Sequence, residues 1–200
     1  MQELVLATRN GHKLAEVTRL LAPFGLTAVA LPPEVLLPPE DGDSYAANAL
    51  IKARAAALAL GRPAIADDSG IEAAALGGLP GVRSARYAGE HATDAQNLAK
   101  LITAVPAGGG LRYVCALAFV DGGSEHVELG ECSGRMAPEP RGTGGFGYDP
   151  IFLPDEHDGV TIAELSEAQK DAISHRGRAL RAFAEWYSAE RADTRPEACR

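Results

Sequence analysis

The chain has 200 residues, 46% of them apolar and 23% charged, with a formal net charge of −8 at pH 7. That composition is typical of a globular protein with its own core, and its acidity disfavours a long nucleic acid as partner, because such binding needs a broad basic surface. Three cysteines without a C-x-x-C pair predict neither a disulfide framework nor a zinc site and favour a reducing cytoplasm, and no apolar run is long enough to span a membrane.

The N-terminal part of the chain alternates between predicted strands and helices. Apolar residues at helical spacing follow a short apolar run and a polar turn. Ser44 is placed as the N-cap of a second helix and Gly61 as its stop. The predicted elements are a strand at residues 4–7, a helix that ends before Gly25, a proline-rich loop, a helix at 45–60 and a strand at 63–66.

The C-terminal part mixes the same two kinds of element, which predicts an α/β or α+β fold with a mixed sheet. Its elements are an irregular loop at 78–89, a helix that starts near Thr93 or Asp94, strands at 111–120 and 126–132 joined by a hairpin-type turn, a glycine-rich loop from Arg141, a helix with a capping box from Ser166 to Gln169 and a final amphipathic helix at 174–190. Residues 1–190 are predicted to form a single domain, and the polar residues 191–200 a frayed, disordered tail.

The turn "TRNGHK" lies between the first strand and the first helix. Free N–H groups at a helix N-terminus attract anions, and Thr8, Asn10 and Lys13 add further donors. The turn therefore predicts either a phosphate site or an ordinary capped helix with a solvated lysine. It lacks the pattern of a Walker A loop.

The stretch "AIADDSG" places Asp67 and Asp68 next to each other where the second strand is predicted to end, with Ser69 and Gly70 turning the chain. Two adjacent carboxylates repel each other and resist desolvation. A turn exposed to water would tolerate them, and a magnesium ion would bind them, since it prefers hard oxygen ligands and often works beside phosphates. A carboxylate at such a site can also activate a water.

The glycine-rich loop contains a formal G-x-G-x-x-G, but it does not follow a strand and open a helix, so a dinucleotide fingerprint is not predicted. The loop instead presents Phe146 and Tyr148 for stacking on a flat base, or else holds core aromatics.

Other polar residues are candidates for the same site. Asn48 and Lys52 share one face of a largely apolar helix and form either part of a site or a solvated stripe. Lys170, His175 and Arg176 lie close together near a helix start, where three donors suit an anion or a carbonyl oxygen.

Five segments, taken together and in this order, resemble the inosine triphosphate pyrophosphatase family, which acts on non-canonical purine nucleoside triphosphates. They are "LATRNGHK", "NALIKARAAA", "IADDSGIEAAALGGLPGVRSARYAG", "GTGGFGYDPIF" and "AISHRGRAL", and they cover nearly the whole chain. The resemblance implies an elongated mixed sheet flanked by helices, with two lobes and a central cleft. It also implies hydrolysis of dITP, ITP and XTP to the monophosphate and pyrophosphate, dependence on Mg²⁺, and a homodimer.

The resemblance further implies roles for individual residues. Asp68 is the expected general base, and Glu40 and Asp68 are the expected metal ligands. The expected substrate contacts are Thr8, Arg9, Asn10, Gly11, His12, Lys13 and Lys52 for the phosphates, Ser69 for the substrate, and Phe146, Gly147, Tyr148, Asp149, Lys170, His175 and Arg176 for the purine. Two positions depart from the family pattern, Ala47 in place of a common glutamate and Arg9 in place of a small residue, so that Asp67 or Asp41 is a candidate to supply a second acid.

Hypoxanthine and xanthine carry a carbonyl at position 6, where adenine carries an amine. Donors from His175 and Arg176 are expected to pair with that oxygen and to reject the amine. Three alternative interpretations are a Maf-like pyrophosphatase for modified pyrimidine or guanine nucleotides, a nucleotide-binding protein without catalysis, and an acidic interaction module. The acidic residues Glu40, Asp67 and Asp68 beside Lys13 and Lys52 disfavour a nucleotide-binding protein without catalysis. The five ordered segments disfavour an acidic interaction module.

Overall fold

The computed structural model describes residues 2–193, with the backbone alone for residues 191–193. Of the predicted tail at 191–200, residues 194–200 lie outside the described residues. The strands are β1 (Gln2–Leu6), β2 (Leu26–Ala30), β3 (Ala64–Ala73), β4 (Gly110–Asp121), β5 (Ser124–Met136) and β6 (Phe152–Pro154), and the α-helices are α1 (Gly11–Leu21), α2 (Tyr45–Leu60), α3 (Asp94–Ala104), α4 (Glu167–Ile173) and α5 (His175–Asp193). No helix within residues 2–193 is both long and apolar enough to cross a membrane.

The strands form one mixed sheet in the order β2-β1-β3-β4-β5-β6. Strand β1 runs parallel to both of its neighbours, and the pairs from β3 to β6 are antiparallel. The β1–β3 pairing covers only Val5 with Ala64 and Leu6 with Ile65. Beyond that point the edge of β3 that faces β1 has no strand beside it, which leaves room for a cleft.

Other groups satisfy this open edge of β3, as buried backbone polar groups require. The Lys52 ammonium donates to the carbonyl of Asp67 at 2.7 Å, and the Ile71 N–H donates to Ser84 Oγ at 2.8 Å. Ser84 belongs to a 3₁₀ helix, Gly81–Arg86, that packs against the strand. Gly70 has to be glycine because a Cβ there would collide with the carbonyl oxygen of Gly81.

The two faces of the sheet bury different kinds of side chain. Helices α1 and α5 cover one face with large residues such as Leu21 and Phe183. Helix α2 covers the other through Ala49, Ala53 and Ala56, whose small side chains let the helix approach the strands closely. Successive residues of β3 point to opposite faces, and the two aspartates are therefore separated by the sheet.

The mixed sheet flanked by helices confirms the predicted fold class. The predicted caps are also confirmed: Ser44 Oγ accepts from the Ala47 N–H, Gly61 takes the left-handed conformation with φ 59°, and Ser166 and Gln169 form the capping box.

Three local predictions were wrong or incomplete. Strand β3 does not end at the aspartates but continues to Ala73, because its polar side chains find partners on both faces. The short strand β2 was not predicted, and part of the predicted irregular loop is the 3₁₀ helix Gly81–Arg86.

Candidate active site

A cleft of about 360 Å³ runs along the open edge of β3. This volume lies within the range of small-ligand sites in proteins. Its walls are the β1–α1 turn, the loop that carries Glu40, the 3₁₀ helix and the end of the glycine-rich loop. The predicted site residues that line it are Thr8, Arg9, Asn10, Lys13, Glu40, Lys52, Asp68, Ser69, Phe146, Gly147, Tyr148, Asp149, Lys170, His175 and Arg176.

Gly11 and His12 were also predicted to contact the phosphates, but they do not line this cleft. Asn10 Oδ1 accepts from the backbone N–H groups of His12 and Lys13 at 2.9 and 3.2 Å, which caps α1. Neighbouring residues in the first turn of a helix point in different directions, so the Lys13 side chain enters the cleft while the His12 ring stacks on Phe146, with centroids 5.4 Å apart.

Asp67 lies on the α1 and α5 face of β3, where cations neutralise it. Its Oδ2 is 2.9 Å from Lys13 Nζ and 3.0 Å from Arg176 Nη2. Burial by itself would raise the pKa of Asp67, but the charges of Lys13, Arg176 and Lys52 outweigh it and lower that pKa below its ordinary value. Asp67 is therefore a fixed anion, and it does not line the cleft, which makes it a poor substitute for the glutamate absent at Ala47.

Asp68 points to the α2 face and lines the cleft. Its Oδ2 accepts from Asn48 Nδ2 at 3.1 Å, and its Oδ1 lies 4.0 Å from Lys52 Nζ. Burial raises the pKa of Asp68 above 3.8 and the Glu40 charge adds to this effect, whereas Lys52 and Asn48 partly offset it. Asn48 and Lys52 are both buried, so they do not form a solvated stripe; Lys52 lines the cleft, and Asn48 holds Asp68.

Glu40 and Asp68 bracket the Lys52 ammonium, which lies 2.6 Å from Glu40 Oε1. Within residues 2–193 no cluster of three or more histidine, cysteine or acidic side chains is arranged to hold a metal. Mg²⁺ commonly takes one or two protein carboxylates and completes its shell with waters and phosphate oxygens. The two carboxylates at the cleft, one buried and one a third exposed, fit such an ion.

Asp149 organises the other end of the cleft. Its buried carboxylate accepts from Tyr113 Oη at 3.0 Å, from the Phe146 N–H at 3.0 Å and from Lys170 Nζ at 2.9 Å. Gly145 permits this turn, because a Cβ there would collide with the Asp149 carboxylate. These bonds hold the Phe146 ring at the cleft, with Lys170 Nζ 4.9 Å from its centroid.

His175 begins α5 and stacks on Tyr113, with ring centroids 4.5 Å apart and planes 7° apart. Burial lowers the pKa of His175 well below 6.5, and the nearby charges of Arg176 and Lys170 lower it further. The ring is therefore neutral at pH 7, with one nitrogen able to donate and the other able to accept.

Arg176 and Arg9 are largely occupied by protein acceptors. The Arg176 guanidinium donates to Asp67, Glu16 and Ser69, so about one of its five N–H groups is left for a ligand. Arg9 donates to the carbonyls of Leu31, Pro32, Pro33 and Val35 at 2.7–3.2 Å. Arg9 thus ties the β1–α1 turn to the proline-rich segment, and its predicted phosphate contact has few donors left.

Sequence reasoning missed several residues of the site. Glu16 joins Arg176 to Lys170, whose ammonium lies 2.6 Å from Glu16 Oε1, and its position three residues after Lys13 on one helix was the available signal. Tyr113 lies in a strand that is apolar apart from Arg112 and the terminal Asp121. The 3₁₀ helix and α3 add Ser84, Arg86, Asp94 and Asn97 to the cleft wall.

This mixed α/β fold has a cleft that joins a carboxylate pair and lysines to an aromatic pocket. Such a cleft is typical of proteins that bind a small ligand with an anionic part and a flat part. The chain belongs to the Ham1 family, whose model matches residues 4–186. This membership confirms the resemblance found in the sequence.

Named relatives and solved structures agree with this assignment. The chain is 49% identical over 190 residues to the dITP/XTP pyrophosphatase of Mycolicibacterium paratuberculosis, covering 90% of this chain and 93% of that protein. It is 50% identical over 187 residues to the dITP/XTP pyrophosphatase of Mycobacterium tuberculosis, covering 89% and 91%. A HAM1 protein from Coxiella burnetii has a similar structure, with a TM-score of 0.84 at 40% identity over 94% of this chain and 100% of that one.

Proposed function

We propose that this protein hydrolyses the non-canonical purine nucleoside triphosphates dITP, XTP and ITP to the monophosphate and pyrophosphate. The observation that carries the proposal is the presence of the Glu40–Asp68 carboxylate pair and the Phe146–Asp149 pocket in one cleft. The relatives named dITP/XTP pyrophosphatase support the same substrates.

Asp68 is the proposed general base. Its carboxylate faces the cleft, and its raised pKa makes it a better proton acceptor than an ordinary aspartate. In the proposed step a water oxygen forms a bond to the α-phosphorus and gives its proton to Asp68. The bond from that phosphorus to the bridging oxygen breaks, and its electron pair leaves with pyrophosphate.

The phosphates are proposed to bind between the β1–α1 turn and α2. Thr8, Asn10 and Lys13 line the cleft at the start of α1, where the helix dipole favours anions. Lys52 extends from α2 toward both carboxylates, which supports its proposed contact with a phosphate oxygen. Glu40 and Asp68 would hold Mg²⁺, which when bound supplies positive charge that neutralises and polarises the phosphates.

The purine is proposed to lie against Phe146, near His175 and Lys170. The neutral His175 ring and the remaining Lys170 proton offer donors to a carbonyl at position 6. An amine at that position leaves those buried donors unpaired, and such a mismatch discriminates strongly between bases.

We also propose that the protein works as a homodimer in the cytoplasm. The two cysteines among the described residues, Cys115 and Cys132, are buried free thiols, in keeping with a reducing environment. Light scattering on a sizing column tests the dimer: a mass near 42 kDa, twice the 20.9 kDa of the chain, is expected, and a mass near 20.9 kDa contradicts it.

The function is tested by pyrophosphate release from ITP, XTP, dATP and dGTP, each with Mg²⁺ and with a chelator. We expect fast release from ITP and XTP alone, abolished by the chelator. Turnover of modified pyrimidine or guanine nucleotides instead favours the Maf-like alternative. Binding of ITP without any release favours a nucleotide-binding protein.

A further inference from the structure

Arg86 lies at the outer end of the cleft and has no role in the proposed function. It is the last residue of the 3₁₀ helix Gly81–Arg86. Its side chain lines the cleft and also a wider outer cavity, whose other walls include residues 39–43 and Arg83. Arg86 therefore stands where the cleft opens toward solvent.

The other cations of the cleft are already matched by protein acceptors. Lys13 pairs with Asp67 and Lys52 with Glu40, while Lys170 and Arg176 share Glu16. The bound state adds several negative charges on the triphosphate. A protein cation that is not already paired with a carboxylate would balance part of the negative charge of the triphosphate.

Arg86 meets this need. Within the described part of the chain its guanidinium has one hydrogen bond, from Nη2 to the carbonyl oxygen of Glu40 at 3.1 Å, and no ion pair with a carboxylate. Its remaining N–H groups form the planar fork that suits phosphate oxygens. The bond to the Glu40 carbonyl also fixes the guanidinium beside the segment that carries Glu40.

We propose that Arg86 binds the terminal phosphates of the substrate and the departing pyrophosphate, and that it thereby makes the enzyme prefer triphosphates to diphosphates. This inference rests on the proposed function. With the α-phosphate beside Asp68 and the base at Phe146, the β- and γ-phosphates would lie in the cleft between the β1–α1 turn and Glu40, within reach of Arg86 at the cleft mouth. A diphosphate is one phosphate shorter and gains less from this contact.

The test compares ITP with IDP on the wild type and on Arg86→Ala, Arg86→Lys and Arg83→Ala. Cleavage of the same α–β bond of IDP yields IMP and phosphate, and where that turnover is slow IDP serves as a competitive inhibitor. Arg83 is a matched control, because it lies on the same 3₁₀ helix and borders the outer cavity but not the cleft.

For Arg86→Ala we expect kcat/KM for ITP to fall roughly 10- to 100-fold, as for the loss of a charged hydrogen-bonding partner, while the value for IDP changes by less than about 3-fold. Arg86→Lys should recover part of the loss, and Arg83→Ala should match the wild type. An equal loss with ITP and IDP would show that Arg86 acts through the Glu40 segment and would overturn the proposal, as would no loss. A wild type that releases no pyrophosphate from ITP is a failure of the proposed function instead.

Discussion

Asp67 and Asp68 are adjacent residues of one strand with opposite surroundings. Asp67 faces α1 and α5, and its carboxylate is held by Lys13 and Arg176. Asp68 faces α2 and the cleft, with a neutral amide as its closest partner and Lys52 at 4.0 Å. The cations lower the pKa of the first carboxylate, whereas burial raises the pKa of the second.

The comparison explains how the chain tolerates two neighbouring carboxylates in a buried strand. The alternation of a strand separates them onto opposite faces, so the two carboxylate groups have different side-chain partners within hydrogen-bond distance. One face fixes an anion that orients Lys13 and Arg176, and the other keeps an anion available to a ligand. Asp67 thus has a structural role, and Asp68, the next residue, is available for chemistry.

The sharpest way to break this comparison is Asp68→Asn. Asparagine keeps the shape and the bond to Asn48 but cannot accept a proton from water, so we expect kcat to fall about 10³-fold or more. Pyrophosphate release from ITP measures the loss. Turnover within a few-fold of the wild type would contradict the role of Asp68 as the base.

The same variant has a stability readout in metal-free buffer. An acid with a raised folded-state pKa is less favourable as an anion in the folded state than in the unfolded state. Removing that anion should therefore leave the free energy of unfolding at pH 7 unchanged or slightly increased, as measured by urea denaturation.

Asp67→Asn should have the opposite profile. It leaves Lys13 and Arg176 without their shared anion in a buried site, so we expect a loss of about 3 kcal/mol in the free energy of unfolding. Because the folded pKa of Asp67 is lowered, this loss is fully present above pH 3.8 and shrinks at lower pH. Urea titrations at pH 7 and pH 3.5 measure it, with Asp68→Asn as the matched control. Equal stability changes in the two variants would show that the two faces of β3 do not differ.

The helices and the hairpin of this fold follow from local signals. Ser44 and Gly61 cap α2 through their own side chain and backbone, and the capping box at Ser166 is equally local. Strand β3 escaped prediction beyond Ala66 because its polar residues are stabilised by α1, α2 and α5, which are distant in sequence. A short window around "DDSG" contains none of those partners.

The candidate site could likewise be predicted only in part from the sequence. Most of the motif residues line one cleft, whereas Gly11 and His12 do not. The assignment of charges could not be predicted, since it depends on which cation meets which carboxylate in three dimensions. Arg9 and Arg176 read as free donors in the sequence, yet backbone carbonyls and buried carboxylates occupy most of their N–H groups.

The smallest effect expected from the comparison concerns His175, which shares the cationic surroundings of Asp67. Its folded-state pKa lies well below 6.5, so as the pH falls below 6.5 the unfolded chain takes up a proton that the folded chain does not. As the pH falls from 6.5 to 5.5, the wild type should therefore lose roughly 1 kcal/mol in free energy of unfolding relative to His175→Asn. Above pH 7.5 the difference between the two proteins should not change with pH. Urea denaturation across this range measures the difference, with His91→Asn, at an exposed position, as the control for loss of a histidine. A difference between wild type and His175→Asn that stays constant with pH would mean that His175 is protonated as readily in the folded state as in the unfolded state. In that case the cations of the Asp67 face would not extend their influence to the base pocket.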